Sequence, residues 1–93
     1  MIVSFSDSVT ERVWRRDRVA RVDAHLHRAA HRKLLQLDWA ESLNDLRVPP
    51  GNRLERLVGD RAGQYSIRVN DQYRICFTWT DIGPANVELV DYH

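Results

Sequence analysis

The sequence predicts an α+β fold: an antiparallel sheet, with an opening strand and helices packed on one of its faces. Two observations carry this expectation. Apolar spacing is helical up to Trp39 and gives way after Pro49-Pro50-Gly51 to short β-prone runs, and clusters of turn residues punctuate the second half. The length sets the scale. A chain of 93 residues buries only somewhat more than ~60% of its unfolded surface, so one helical layer on one sheet is about the largest core available. The helical and sheet halves are each too small to fold alone, and residues 1–93 are read as a single domain.

The elements follow in order. Ile2 to Phe5 form a β-prone opening, and Asp7 or Ser8 can cap a short helix through Val9, Val13 and Trp14. From about Val22 to Trp39, the residues Val22, Leu26, Ala29, Ala30, Leu34 and Leu37 recur at three and four, which makes one buried helical stripe. Ser42, with Asp45 three residues on, suggests a further turn with a capping-box variant before Pro49 and Pro50 stop any helix. Leu54 to Val58, Gln64 to Val69, Tyr73 to Thr80 and Asn86 to Tyr92 then read as four strands in a meander. Between them stand Gly59 to Gly63, Asn70-Asp71-Gln72 and Asp81 to Pro84.

Alternation along the strands sorts the side chains into faces. Tyr65, Ile67 and Val69 share one face with Tyr73, Ile75, Phe77 and Trp79 if Asn70 to Gln72 form a three-residue loop. Arg68 then stands opposite Arg74, a like-charge pair that needs a nearby acid or a bound anion. A four-residue turn at Asp81 to Pro84 would pair Thr80 with Ala85 and place Arg74 opposite Asp91, with His93 at the same edge. That face would gather two guanidiniums, a carboxylate and an imidazole. The plain alternative is an ordinary cross-strand ion pair beside a frayed end.

Fourteen basic residues face thirteen acids overall, but their distribution is uneven. Arg12, Arg15, Arg16, Arg18, Arg21, Arg28, Arg32 and Lys33 are accompanied between Arg12 and Lys33 only by Asp17 and Asp23. Such a stretch suits contact with RNA phosphates, and its binding should weaken steeply with salt. A solvated helix surface is the alternative. The single cysteine closes no internal disulfide and builds no Cys-based zinc site, which fits a reducing compartment. The opening lacks the basic and apolar regions of a signal peptide, and no apolar run is long enough for a membrane span.

From Pro49 onward the residues carry a resemblance. PPGNRLERLVGDRAGQYSIRVNDQYRICFTW followed by VELVDYH closely resembles the HigB branch of the RelE/ParE-like toxins of type II toxin-antitoxin systems, the plasmid-maintenance killer proteins. Its most specific pieces are Gly59-Asp60-Arg61, Tyr65-Ser66-Ile67, the run from Asn70 to Ile75, and Asp91-Tyr92-His93. The N-terminal half matches in length and helices with less residue detail.

The resemblance implies a small RelE-like fold and a cytoplasmic endoribonuclease that enters the A site of the 70S ribosome and cleaves translated mRNA. Its antagonist would be a helix-turn-helix, HigA-like antitoxin, and no membrane is involved. It also implies catalytic roles for Arg74, Asp91, Tyr92 and His93. No cofactor or metal is expected: a base would take the ribose 2′-OH proton, the oxygen would attack the adjacent phosphate, and an acid would protonate the leaving 5′ oxygen. His93 suits acid or base work near neutrality, and Arg74, aided by Arg68 or Arg61, suits the phosphate. The basic residues Arg12, Arg15, Arg16, Arg28 and Arg32 would meet the ribosome. Some relatives carry histidine and lysine in the strand before the Gly-Asp turn, where this sequence has Glu55 and Val58. Glu55 can act as a base and Val58 supplies no charge, which implies a slower nuclease, a greater dependence on the ribosome to order the substrate, or cationic help from Arg53 or Arg56. The same fold also serves ParE-like inhibitors of DNA gyrase, and a binding-only protein is a third reading.

Weaker signals read as structural. His27 and His31 lie four apart near His25, but Arg28 and Arg32 would repel a metal cation. Cys76 reads as a small buried or half-buried thiol, and Trp39 and Trp79 read as core.

Overall fold

The computed structural model describes residues 1–92. Its helices are α1 (Ser8–Trp14) and α2 (Ala24–Trp39), and its strands are β1 (Glu55–Arg56), β2 (Tyr65–Arg68), β3 (Tyr73–Thr80) and β4 (Gly83–Asp91). The strands form one antiparallel sheet in the order β1-β2-β3-β4, the meander expected from the turn residues. The opening segment is less than a strand: Phe5 makes a single parallel bridge to Val87, flanked by Val3 N donating to Pro84 O at 2.8 Å.

Both helices begin where a carboxylate caps them. Asp7 accepts from Thr10 N, and Asp23 accepts from Leu26 N, each at 2.9 Å, so two otherwise orphaned helix N–H groups are satisfied. The anticipated stripe of α2 is the buried one: Leu26, Ala30, Leu34 and Leu37 meet Ile67, Ile75, Phe77 and Val87 of the sheet. Thr10, fully buried, accepts from Leu89 N at 2.9 Å and fastens α1 to β4. After α2, Asp45 accepts from the Glu41 and Ser42 amides at 3.0 and 3.1 Å and closes a 3-10 turn at Leu43–Arg47.

Two expectations need correction. Trp39 is not in the core: it is 81% exposed. It follows the buried Leu37 by two residues, about 200° around the helix, and so points away from the stripe. Trp79 does pack, partly buried, against the core.

The second correction concerns register. Thr80 pairs with Gly83, not Ala85, because the turn is Asp81-Ile82 alone, with Gly83 at φ +139° where side-chain-bearing residues are strained. An extra residue in β4 near Asn86, itself at φ 53°, forms a bulge that returns one residue of the offset. The net change is one position: Arg74 pairs with Val90, and Asp91 pairs with Tyr73. Since one residue of slip exchanges the faces of a strand, Asp91 does not share the register position or face expected beside Arg74.

Candidate functional site

The first hairpin has the expected geometry. Val69 N donates to Tyr73 O at 3.0 Å, and Asn70 Oδ1 accepts from the Gln72 and Tyr73 amides, so the loop is closed by its own asparagine. Arg68 therefore lies opposite Arg74. Each guanidinium has its own acid: Arg68 pairs with Asp71 in the loop, and Arg74 Nη2 lies 3.1 Å from Glu55 Oε1. Compensation of the like-charge pair is thus supplied within the chain.

Arg74 is the most fully seated cation of this face. Its side chain is only 11% exposed, while that of Glu55 is 59% exposed. Its Nε donates to the buried Ser66 Oγ at 2.8 Å, and its Nη2 donates to Arg53 O at 2.6 Å. The guanidinium leans along β2 from Arg68 toward Ser66, which is paired across the sheet with Glu55 on one side and Cys76 on the other. Planar guanidinium suits this service, because its donors are held in fixed directions.

The Arg53 carbonyl is itself placed by a buried residue that the sequence analysis passed over. Asn52 is completely buried: its Nδ2 donates to Gln36 Oε1 at 2.9 Å and to Leu46 O at 3.1 Å, and its Oδ1 accepts from Lys33 Nζ at 2.6 Å. Burial, reinforced by Arg32 and Arg68, lowers the Lys33 pKa. These bonds tie α2 to the loop, and Arg53 follows in the left-handed conformation at φ 45°. The legible signal was a polar residue directly after Pro-Pro-Gly, a position that offers many backbone partners. Ser66 was likewise missed as a partner for Arg74, although the register placed it on that face.

Arg61 joins the same side of the sheet. Its Nη1 donates to Gln64 Oε1 at 3.0 Å and lies 3.3 Å from Glu88 Oε1. It also lines a cleft of about 380 Å³ with Val90, Asp91 and Tyr92. The C-terminal segment is held by Gln72: its carbonyl accepts from Tyr92 N at 2.6 Å, and its Nε2 donates to Asp91 Oδ2 at 3.0 Å. The structure therefore brings Arg61, Asp91 and Tyr92 together. His93 lies outside the described residues. Arg56 falls away from the group, because it pairs with Tyr65 on the opposite face from Glu55.

Cys76, completely buried, has its thiol pKa raised by desolvation, with Glu88 adding to the rise and Arg61 and Arg74 opposing it. It stays a protonated thiol at neutral pH, so the reading of a structural cysteine holds.

On the helical side, a second region is cationic. Arg16, His27, Arg28, His31, Arg32 and Leu35 line a cleft of about 490 Å³. His31 stacks on Trp14 with ring centroids 5.7 Å apart, and its Nε2 accepts from Arg16 Nε at 3.4 Å. Burial, then Arg16 and His27, push the His31 pKa below its ordinary value. Arg28 and Arg32 also border a neighbouring cleft that reaches Asn70, Gln72 and Tyr73, so the basic surface of α2 continues to the loop that holds Asp91. Two of the expected cations are otherwise engaged: Arg15 pairs with Glu11 at 2.8 Å, and Arg12 Nη2 donates to Arg18 O at 2.8 Å. Among the described residues no group of three or more His, Cys, Asp or Glu could hold a metal, and no helix is long and apolar enough to cross a membrane.

The family model for the RelE-like toxin of type II toxin-antitoxin system HigB matches residues 3–93. Toxin HigB-1 of Vibrio cholerae serotype O1 is 44% identical over 94 aligned residues, covering 100% of this chain and 98% of that protein. An uncharacterized protein of Haemophilus influenzae is 40% identical over 73 residues, 78% of this chain and 72% of its own length. Among solved structures, the YoeB-YefM complex from Staphylococcus aureus contains a chain with the same fold, at TM-score 0.63 and 16% identity, covering 100% of this chain and 98% of that one.

Proposed function

The chain belongs to the HigB-like family of RelE-like toxins of type II toxin-antitoxin systems, and from that membership we propose that it is a ribosome-dependent endoribonuclease that cleaves translated mRNA. The observation that carries the reading is the seating of Arg74: a nearly buried guanidinium, fixed by Ser66 and Arg53, with the exposed carboxylate of Glu55 at 3.1 Å. A fixed cation beside a carboxylate open to solvent suits phosphoryl transfer from an RNA ribose.

In this scheme Glu55 takes the proton from the 2′-OH, the oxygen forms a bond to the adjacent phosphorus, and the bond from phosphorus to the 5′ oxygen breaks. Arg74, with Arg61 from the other side of Cys76, stabilises charge on the phosphorane. His93 protonates the leaving 5′ oxygen, leaving a 2′,3′-cyclic phosphate and a 5′-OH. Each proton and electron pair is accounted for without a metal. Asp91 and Tyr92 are held by Gln72, and Tyr92 at 41% exposed is available for stacking on a base. Arg16, Arg28 and Arg32 meet ribosomal RNA phosphates, the place of action is the cytoplasm, and a helix-turn-helix, HigA-like antitoxin is the antagonist.

The test is induction of wild type, Arg74→Ala and His93→Ala in cells without antitoxin, with 5′ ends of a reporter mRNA mapped in the presence and absence of its start codon. New ends that require translation, Arg74 and His93 are expected. Growth arrest without new ends would replace this reading with gyrase inhibition or simple binding.

A further inference from the structure

The far end of the sheet from Arg74 carries exposed apolar side chains drawn from three separate parts of the chain. Ile2 N donates to Asp38 Oδ1 at 2.8 Å, Val3 N donates to Pro84 O at 2.8 Å, and Gly83 abuts the Met1 carbonyl. The opening segment therefore lies between the end of α2 and the β3–β4 turn. Trp39 is 81% exposed there and Ile82 75%. Val48, 73% exposed, shares a cleft with Trp39, Ala40, Asp45 and Leu46. From Arg74 to Thr80 the strand advances about 20 Å at about 3.3 Å per residue, so the turn that carries Ile82 is distinct from the Arg74 face.

Apolar patches of this kind, rimmed by polar groups, mark surfaces that a partner covers. Charge decides among partners. No Arg, Lys or His occurs from Leu34 to Leu46 or from Ile75 to Tyr92; Asp45 lines the Trp39 cleft, Asp38 holds the opening segment, and Glu41 and Asp81 are close neighbours in sequence of Trp39 and Ile82. Arg47, the next base along the chain, is turned onto Asn44 Oδ1 at 3.0 Å. RNA phosphates are repelled by such a rim, and a second copy of the chain would set two acidic rims against each other. A protein segment with Lys or Arg flanking its apolar side chains is complementary.

We propose that this end, centred on Trp39 and Ile82, is the docking surface for the antitoxin, gripped by an amphipathic, basic segment of it. The inference rests on reading the chain as a toxin with a protein antagonist, and it adds where the antagonist binds and by what chemistry. An exposed tryptophan is the residue type that most often anchors such contacts. Docking here leaves Arg74 and Glu55 uncovered by that segment.

The experiment titrates purified toxin with its cognate antitoxin at low and high salt, using wild type, Trp39→Ala and Ile82→Ser. Each variant is expected to bind at least about tenfold more weakly, roughly the loss of one anchoring side chain. Wild-type affinity should fall as salt rises, and mRNA cleavage by the free variants should be unchanged. Ile82 lies in a turn outside the core, so its variant remains informative if Trp39→Ala folds poorly. Unchanged affinity in both variants would overturn the proposal, as would self-association of the toxin that depends on Trp39. Loss of ribosome sedimentation in Trp39→Ala would assign the patch to the ribosome instead. Failure of the nuclease reading would show in mapped mRNA ends and leave the binding measurement intact.

Discussion

Glu55 of β1 and Arg74 of β3 bring Oε1 and Nη2 within 3.1 Å of each other across the intervening strand β2, with the carboxylate open to solvent and the guanidinium almost enclosed. A pair whose carboxylate is this well solvated adds little to stability. In the proposed reaction Glu55 is the base and Arg74 the cation that meet the same phosphate. Glu55→Gln should lower mRNA cleavage by ~10²–10⁴-fold, the usual worth of a general base. Removal of the cation in Arg74→Ala should cost about 10²–10³-fold. Cleavage that is unchanged or faster in Glu55→Gln would mean that the carboxylate only neutralises Arg74.

Asn52→Ala should destabilise the fold by about 1–3 kcal/mol, because Lys33, Gln36 and the Leu46 carbonyl each lose a buried partner. In a domain this size that lowers Tm by roughly 4–8 °C per kcal/mol. Thermal melts of the two proteins check it. The same change frees the Arg53 carbonyl that steadies Arg74, so cleavage by the folded variant should fall as well.

Gly83→Ala should be among the more damaging single changes. An added Cβ would overlap the Met1 carbonyl oxygen, and the backbone there has φ +139°. Together these cost about 2–5 kcal/mol, from overpacking plus backbone strain. Urea denaturation would detect the shift in midpoint; a variant as stable as wild type would show that the opening segment yields without cost.

Acidification should destabilise the protein through His31. Its folded pKa lies below the ordinary 6.5, so its contribution is present above pH 6.5 and is lost as pH falls through the lower folded value. The folded state resists the proton because the ring is partly buried against Trp14 and beside Arg16. Relative to wild type, His31→Gln should show a smaller drop in Tm between neutral pH and the region below 6.5. Parallel curves for the two proteins would remove His31 as the cause.

Arg28→Glu with Arg32→Glu should weaken association with ribosomes and reduce its dependence on salt, since both residues line the basic clefts of α2. Arg15→Glu should matter less, because Arg15 is already paired with Glu11. Sedimentation with ribosomes over a salt series distinguishes the two.

The α+β class, the buried stripe of α2 and the four-strand meander are legible in the residues alone, because periodicity and turn residues are local properties. So is the Arg68 and Arg74 pairing, since the asparagine at the first hairpin closes its loop through its own side chain. The residues of the second half resemble the family to which the whole chain belongs. Which side chains meet depends on contacts between segments far apart in the chain. A turn two residues shorter than its residues suggest, followed by a bulge at Asn86, moved Asp91 one position, and on a strand one position is a change of face. The partners of Arg74 come from Glu55, Ser66 and the Arg53 carbonyl, and Asn52 steadies the last by gathering bonds from α2. Those contacts join residues distant in sequence through a packed loop, and hydrophobic pattern does not encode them. Trp39 reads as core from its aromatic character; its place on the helix wheel relative to Leu37 is the signal that would have shown its exposure.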